Sequence, residues 1–374
     1  MKKGYLRLLI FELTFMLIFI LSGFVSSILS GYVKVASIVV MLVLFKFLFG
    51  FEKDRHRYWK CICIEIAICL LTYFLLYYLL GVLIGFAKVG NYWTIDNIIH
   101  IMLPLILTII LKELLRYMML VKSEGSKLLI VITTLFCITL DLSGLFNEYV
   151  FISPYSAFSF LAVTVIPIIS TNIFCSYSSY KAGYKPTLFY LLIKSLYVYI
   201  APIIPNPNEY FYSIIELIVP MIFMYRIFRF FQMERDEEVL RDYYKKKLVP
   251  LIIPTIIVVI IVYLTSGYFR YHAIAIGSGS MTPNINKGDV VVIEKDKDYD
   301  KIDIGQVIAY RKGNVIVVHR LIKKIEVDDK YYFYTKGDAN ESEDNYVITE
   351  DMFIGIVNIR IPYIGYPAVW VNSL

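Results

Sequence analysis

The sequence is poor in charge, poor in histidine and, beyond Cys175, free of cysteine. Charged residues make up 18% of 374 positions, whereas a soluble surface usually draws on about a quarter. A simple soluble enzyme is thereby excluded. An apolar fraction of 58% and a mean hydropathy of +0.65 exclude disorder for most of the chain. All five cysteines (Cys61, Cys63, Cys69, Cys137 and Cys175) lie in the apolar part, so the final third has no disulfide framework even in an oxidising compartment. Cys61-x-Cys63 is not read as a metal site. There is no convincing internal repeat, Walker motif, glycine-rich nucleotide loop or basic nucleic-acid patch. No cofactor, metal or nucleic-acid partner is therefore expected.

Long apolar runs are what the sequence has instead. A bilayer crossing takes about 20 mostly apolar residues, and nine stretches approach that: 8–27, 35–51, 61–86, 98–115, 128–146, 157–175, 187–204, 210–225 and 248–269. Lys and Arg gather in alternate loops, beginning with Lys2, Lys3 and Arg7 and ending with Lys245, Lys246 and Lys247. By the rule that basic loops stay in the cytoplasm, the N-terminus is expected inside and everything after Phe269 outside. The expected layout is eight spans over 1–232, a cytoplasmic basic amphipathic loop over 233–247, a ninth transmembrane helix over 248–269 and a soluble domain over 270–374. Glu12, Glu65, Asp141, Lys194 and Glu216 fall inside spans, where Lys194 could pair with Glu216 or Glu65.

From Ala273 onward the texture changes. Short β-branched or aromatic runs (290–293, 307–310, 315–318, 331–334) alternate with turn signals such as Asn286-Lys287-Gly288-Asp289 and Lys312-Gly313-Asn314. Such spacing predicts hairpins and a small, mainly-β domain. The expected fold class is thus a polytopic α-helical membrane region followed by a mainly-β extracytoplasmic domain.

Three polar clusters stand out there: Ser278-Gly279-Ser280-Met281-Thr282-Pro283, Val317-Val318-His319-Arg320, and Thr335-Lys336-Gly337-Asp338-Ala339-Asn340 with Asp344 beyond. Serine, histidine and aspartate are the parts of a nucleophile, a general base and an orienting acid. Of the three types histidine carries most information, because only His272 and His319 follow residue 269. A lone histidine in a β-branched run is also an ordinary packing residue.

These boxes, with Gly288-Asp289-Val290-Val291, Gly305-Gln306-Val307-Ile308 and Ile361-Pro362-Tyr363-Ile364-Gly365, resemble in order those of type I signal peptidases. The resemblance covers roughly 272–366. Histidine at 319, where most bacterial members have lysine, is similar to the endoplasmic-reticulum and archaeal subtype, which uses Ser, His and Asp. It implies Ser280 as nucleophile, His319 as base and Asp344 as orienting acid, with Asp338 the alternative acid. The Ser280 backbone N–H and the Ser278 hydroxyl are the implied oxyanion donors. Ala273, Ile274, Ala275, Ile276 and Gly277 are the implied edge against which a substrate strand lies. The implied activity is a membrane-bound serine endopeptidase of the plasma membrane that removes signal peptides from exported precursors. Membrane lipid and the protein-translocation machinery are its candidate partners. The competing reading is a polytopic transporter or assembly scaffold whose tail binds peptides or processes one dedicated cargo.

Overall fold

A computed structural model describes residues 3–25, 31–54, 56, 58–90, 94–143, 145, 153–232, 246, 249–295, 298–313, 315–328 and 330–371. The chain separates into two compact units, 1–255 and 256–374, and the division falls inside a helix. Almost all of the amphipathic loop expected over 233–247 lies outside the described residues.

The first unit is helical. Its elements are α1 (Lys3–Val25), α2 (Gly31–Phe49), α3 (Trp59–Ile84), α4 (Ile95–Lys122), α5 (Lys127–Leu142), α6 (Pro154–Ala182), α7 (Tyr184–Ile200) and α8 (Glu209–Gln232). A two-stranded ribbon pairs β1 (Phe86–Lys88) with β2 (Ile203–Pro205). α9 (Val249–Thr265) carries the chain into the second unit. α4 and α6 each contain a π-helical turn, Ile98–Met102 and Leu161–Val165, just before Pro104 and Pro167. Proline has no N–H to give and its ring crowds the preceding turn, so the wider turn accommodates it without ending the helix.

Each of the nine apolar stretches falls on a helix, but nine spans do not follow. Among the described residues, four helices are long and apolar enough to cross a membrane: α2, α3, α4 and α6. α5 and α7 have 16 and 17 residues, which at about 1.5 Å per residue fall short of a ~30 Å hydrocarbon core. α9 is also short, and α8 carries Glu209, Glu216, Arg226 and Arg229. An apolar run of ~20 residues can hold a shorter helix, as at α5, α7 and α9, so a count of runs exceeds the count of helices long enough to cross. Several charges inside the unit are paired, whereas Glu12 accepts from the Thr133 hydroxyl at 2.6 Å. Lys112 meets Asp141 at 2.7 Å, Arg116 meets Glu113 at 3.1 Å, and Lys194 meets Glu216 at 2.6 Å. Glu65 pairs with Arg226 rather than with Lys194.

The second unit is a seven-stranded antiparallel sheet in the order β3-β4-β9-β5-β6-β7-β8. The strands are β3 (Tyr271–Ala275), β4 (Val290–Glu294), β5 (Val307–Lys312), β6 (Val315–Val327), β7 (Lys330–Lys336), β8 (Ile348–Thr349) and β9 (Phe353–Ile361). A short helix, α10 (Tyr366–Val371), follows. Two apolar clusters hold the sheet. One joins Ile276, Met281 and Ile285 to Val291, Ile293, Ala309 and Val318. The other joins Ile302, Ile308, Tyr310, Leu321, Phe333 and Ile348. Side chains alternate between faces along a strand. The register Ile308↔His319 and Leu321↔Thr335 therefore puts Tyr310, His319 and Thr335 on the same face as the second cluster.

Candidate active site

Ser280 sits in the connection between β3 and β4. Ile276, Met281 and Ile285, all buried in the first cluster, pin this connection on both sides of the serine. Within it the Thr282 N–H donates to the Gly279 carbonyl at 3.1 Å and the Ile285 N–H to the Met281 carbonyl at 2.9 Å. A second turn meets it from across the unit, because the Ala339 N–H donates to the Ser280 carbonyl at 2.9 Å. Gly337 makes that approach feasible: a Cβ there would stand 2.7 Å from the Ser280 carbonyl oxygen.

His319, 7% exposed, comes from the middle of β6, where the ladders to β5 and β7 fix its backbone. Its Nε2 lies 3.1 Å from Ser280 Oγ and its Nδ1 lies 2.6 Å from Asp344 Oδ2. Asp344 follows β7 and is tied back to it by its own N–H, which donates to the Thr335 carbonyl at 2.9 Å. The structure thus brings Ser280, His319 and Asp344 into one line.

Asp338, the other acid considered, is engaged elsewhere. Arg320 donates to both its oxygens, Nε to Oδ1 at 2.8 Å and Nη2 to Oδ2 at 2.6 Å, and Asn284 donates to Oδ2 at 2.8 Å. These bonds knit β6 to the serine-bearing connection. The hydrogen bonds from Arg320 hold the Asp338 carboxyl below its usual range, against a smaller opposing effect of burial. For Asp344, burial pushes upward most strongly, but the hydrogen bond from His319, that from Thr335, the imidazole charge and the Tyr310 hydroxyl together hold it below its usual range. Both side chains are carboxylates at neutral pH.

The residues expected as oxyanion donors and substrate edge are near. Ser278 Oγ stands 3.4 Å from Ser280 Oγ and is exposed. Ala273, Ile274 and Ala275 lie on β3, which among the described residues pairs only with β4 and so forms one edge of the sheet. Ile276 and Gly277 continue it, with the Ile276 N–H donating to the Asp289 carbonyl at 2.8 Å. Among the described residues no group of three or more His, Cys, Asp or Glu side chains gathers to hold a metal.

Over about a quarter of its length the chain is similar to signal peptidases. It is 30% identical over 105 residues to the signal peptidase complex catalytic subunit SEC11 of Pyricularia oryzae, covering 26% of this chain and 61% of that protein. It is 31% identical over 111 residues to the corresponding subunit of Komagataella phaffii, covering 26% and 64%. It is 30% identical over 99 residues to signal peptidase I W of Bacillus subtilis, covering 26% and 49%. No family model matches the chain. The chain spans less than two thirds of the length of each of these relatives.

Sequence reasoning placed Thr335 in the third polar cluster without a role of its own, and it missed Tyr310 and Tyr346. Thr335 Oγ1 donates to Asp344 Oδ2 at 2.6 Å, the Tyr310 hydroxyl donates to the same oxygen at 3.2 Å, and the Tyr346 hydroxyl lies 2.5 Å from that of Tyr310. The signal that brings Tyr310 and Thr335 beside His319 is the inter-strand register, which alternation along β6 does not supply. The motif that contains Arg320 does not by itself disclose the ion pair of Arg320 with Asp338.

Proposed function

We propose that this chain is a membrane-bound serine endopeptidase that cleaves signal peptides from exported precursors on the outer face of the plasma membrane. The observation that carries it is the position of His319, with one ring nitrogen on Ser280 and the other on Asp344. A serine hydroxyl is a poor nucleophile until a base accepts its proton during attack. In this reading His319 Nε2 takes the proton as Ser280 Oγ adds to the scissile carbonyl. It then returns the proton to the departing amine, leaving an acyl-enzyme that water hydrolyses by the same steps. Asp344 keeps the imidazole in the tautomer this requires and stabilises the cation that forms.

The developing oxyanion takes the Ser280 N–H and the Ser278 hydroxyl as donors, each worth about 2.7–4 kcal/mol in transition-state terms. A precursor lies as an added strand along Ala273–Gly277, held by main-chain hydrogen bonds and selected by small side chains before the cut. The placement outside the membrane rests on the basic loops that alternate along the chain.

The test is to incubate the purified full chain with a precursor bearing an Ala-x-Ala site and to sequence the new N-terminus. Cleavage after the second alanine, lost in Ser280→Ala and in His319→Ala, is the expected result. Retained cleavage in Ser280→Ala would sink the mechanism. Precursor binding without cleavage would favour a peptide-binding scaffold instead.

A further inference from the structure

We propose that Tyr310 and Thr335, with Tyr346 behind Tyr310, are positioning residues that fix the direction of every proton in the Ser280–His319–Asp344 line. The proposal rests on reading that line as the peptidase centre.

The geometry leaves one consistent order. An ionised carboxylate only accepts, and each hydroxyl has a single proton to give. Thr335 Oγ1 is 2.6 Å from Asp344 Oδ2 and 3.4 Å from the Tyr310 hydroxyl, so its proton goes to Asp344. The Tyr310 hydroxyl lies 3.2 Å from the same carboxylate oxygen and 2.5 Å from the Tyr346 hydroxyl. Were its proton turned to Tyr346, two lone pairs would face each other across the contact with Asp344. Tyr346 therefore donates to Tyr310, and Tyr310 donates to Asp344. The Lys312 ammonium lies 3.8 Å from the Tyr346 ring centroid, where it draws electron density from the ring and makes that phenol the better donor.

The remaining donor to Oδ2 is the imidazole. His319 must then carry its hydrogen on Nδ1, which leaves the Nε2 lone pair facing Ser280 Oγ. Removing a hydroxyl from this set loosens the carboxylate and weakens its hold on the tautomer without touching the substrate.

The test uses the purified full chain and a precursor peptide. Tyr310→Phe keeps the buried ring and removes only the hydroxyl. Its kcat should fall about tenfold, the scale of one hydrogen bond to a charged group, while KM stays unchanged. The acid limb of its pH–rate profile should also move to higher pH, because a carboxylate that loses a donor binds its proton more readily. Tyr346→Phe should act in the same direction, and the double variant should be no slower than Tyr310→Phe alone. Thr335→Val should behave like Tyr310→Phe, and Thr335→Ser should restore the rate. A Tyr310→Phe enzyme with wild-type kcat and an unmoved acid limb overturns the proposal, as does full additivity in the double variant. If Tyr310→Phe does not fold, the Thr335→Val and Thr335→Ser pair decides on the same readouts. A wild-type chain that cuts no precursor, and whose Ser280 no serine-directed acylating probe labels, defeats the peptidase reading itself. A wild-type chain that cuts beside indifferent variants defeats only the inference drawn here.

Discussion

Asp338 receives two charge-assisted hydrogen bonds from one guanidinium, while Asp344 accepts from an imidazole and two hydroxyls. Substitution should separate the two. Asp344→Asn presents an amide where an acceptor is needed and turns the imidazole to the wrong tautomer, so kcat should drop by up to ~10⁴-fold with melting near wild type. Asp338→Asn leaves Arg320 without its countercharge, so the melting temperature should fall while kcat drops far less. Steady-state kinetics with melting curves on both variants check this, and the opposite pattern would exchange their roles. From sequence Asp344 was the implied acid and Asp338 the alternative, because each follows the same glycine turn and either could approach the ring. His319 was legible through rarity, as one of two histidines after residue 269. Tyr310 was not, since it is one of 32 tyrosines and only its register opposite Val317 marks it out.

Among the described residues β3 has an unpaired side, and the parity of its hydrogen bonds can be counted from Ile276, which both donates to and accepts from the β4 side. In an antiparallel pair successive residues point their backbone groups alternately toward and away from the partner. Ile274 therefore bonds inward, and Ala273 and Ala275 present N–H and C=O outward. Ala275→Pro should remove an outward donor that a substrate strand needs. KM should rise about tenfold with little change in kcat or melting, on the scale of one or two hydrogen bonds. Ile274→Pro should instead break the ladder to β4 and lower the melting temperature. Equal effects of the two on stability would show that the edge is not free. The short strands β4, β5 and β7 were legible as β-branched or aromatic runs. β9 was not, because Gly355, Asn358 and Arg360 break its apolar pattern. The full reach of β6 was hidden too, since Lys323 and Lys324 interrupt the pattern beside a register shift that follows Leu321.

At the scale of the molecule, the change of texture near Ala273 was visible in composition, whereas the number of spans was not, since an apolar run does not state its helix length. Acid stability follows from groups outside the helical region. Burial, followed by the charges of Lys295 and Arg311, lowers the His272 imidazole from 6.5 to about 4. Between those values the unfolded chain takes up a proton that the folded chain refuses, so stability should fall as pH drops from ~6.5 to ~4. Below that, Asp289, Asp338 and Asp344 take over. Their folded carboxyls lie under the ordinary 3.8, so the stability they lend above it disappears as pH falls through their lowered values. Melting temperatures of the detergent-solubilised chain should decline in two stages, and His272→Asn should abolish only the first. A wild-type melting temperature that is flat from pH ~6.5 to ~4 would rule out a half-buried imidazole held neutral.

The bond from the Ala339 N–H to the Ser280 carbonyl turns one amide into a gauge of assembly. That hydrogen can exchange with solvent only when the turn at Gly337 parts from the serine it supports, so its protection counts the molecules in which Ser280 is out of place. Deuterium uptake at Ala339 should therefore rise in step with lost activity in Gly337→Ala, whose new methyl would crowd the Ser280 carbonyl. It should stay slow in His319→Ala, which abolishes proton transfer and leaves both turns together.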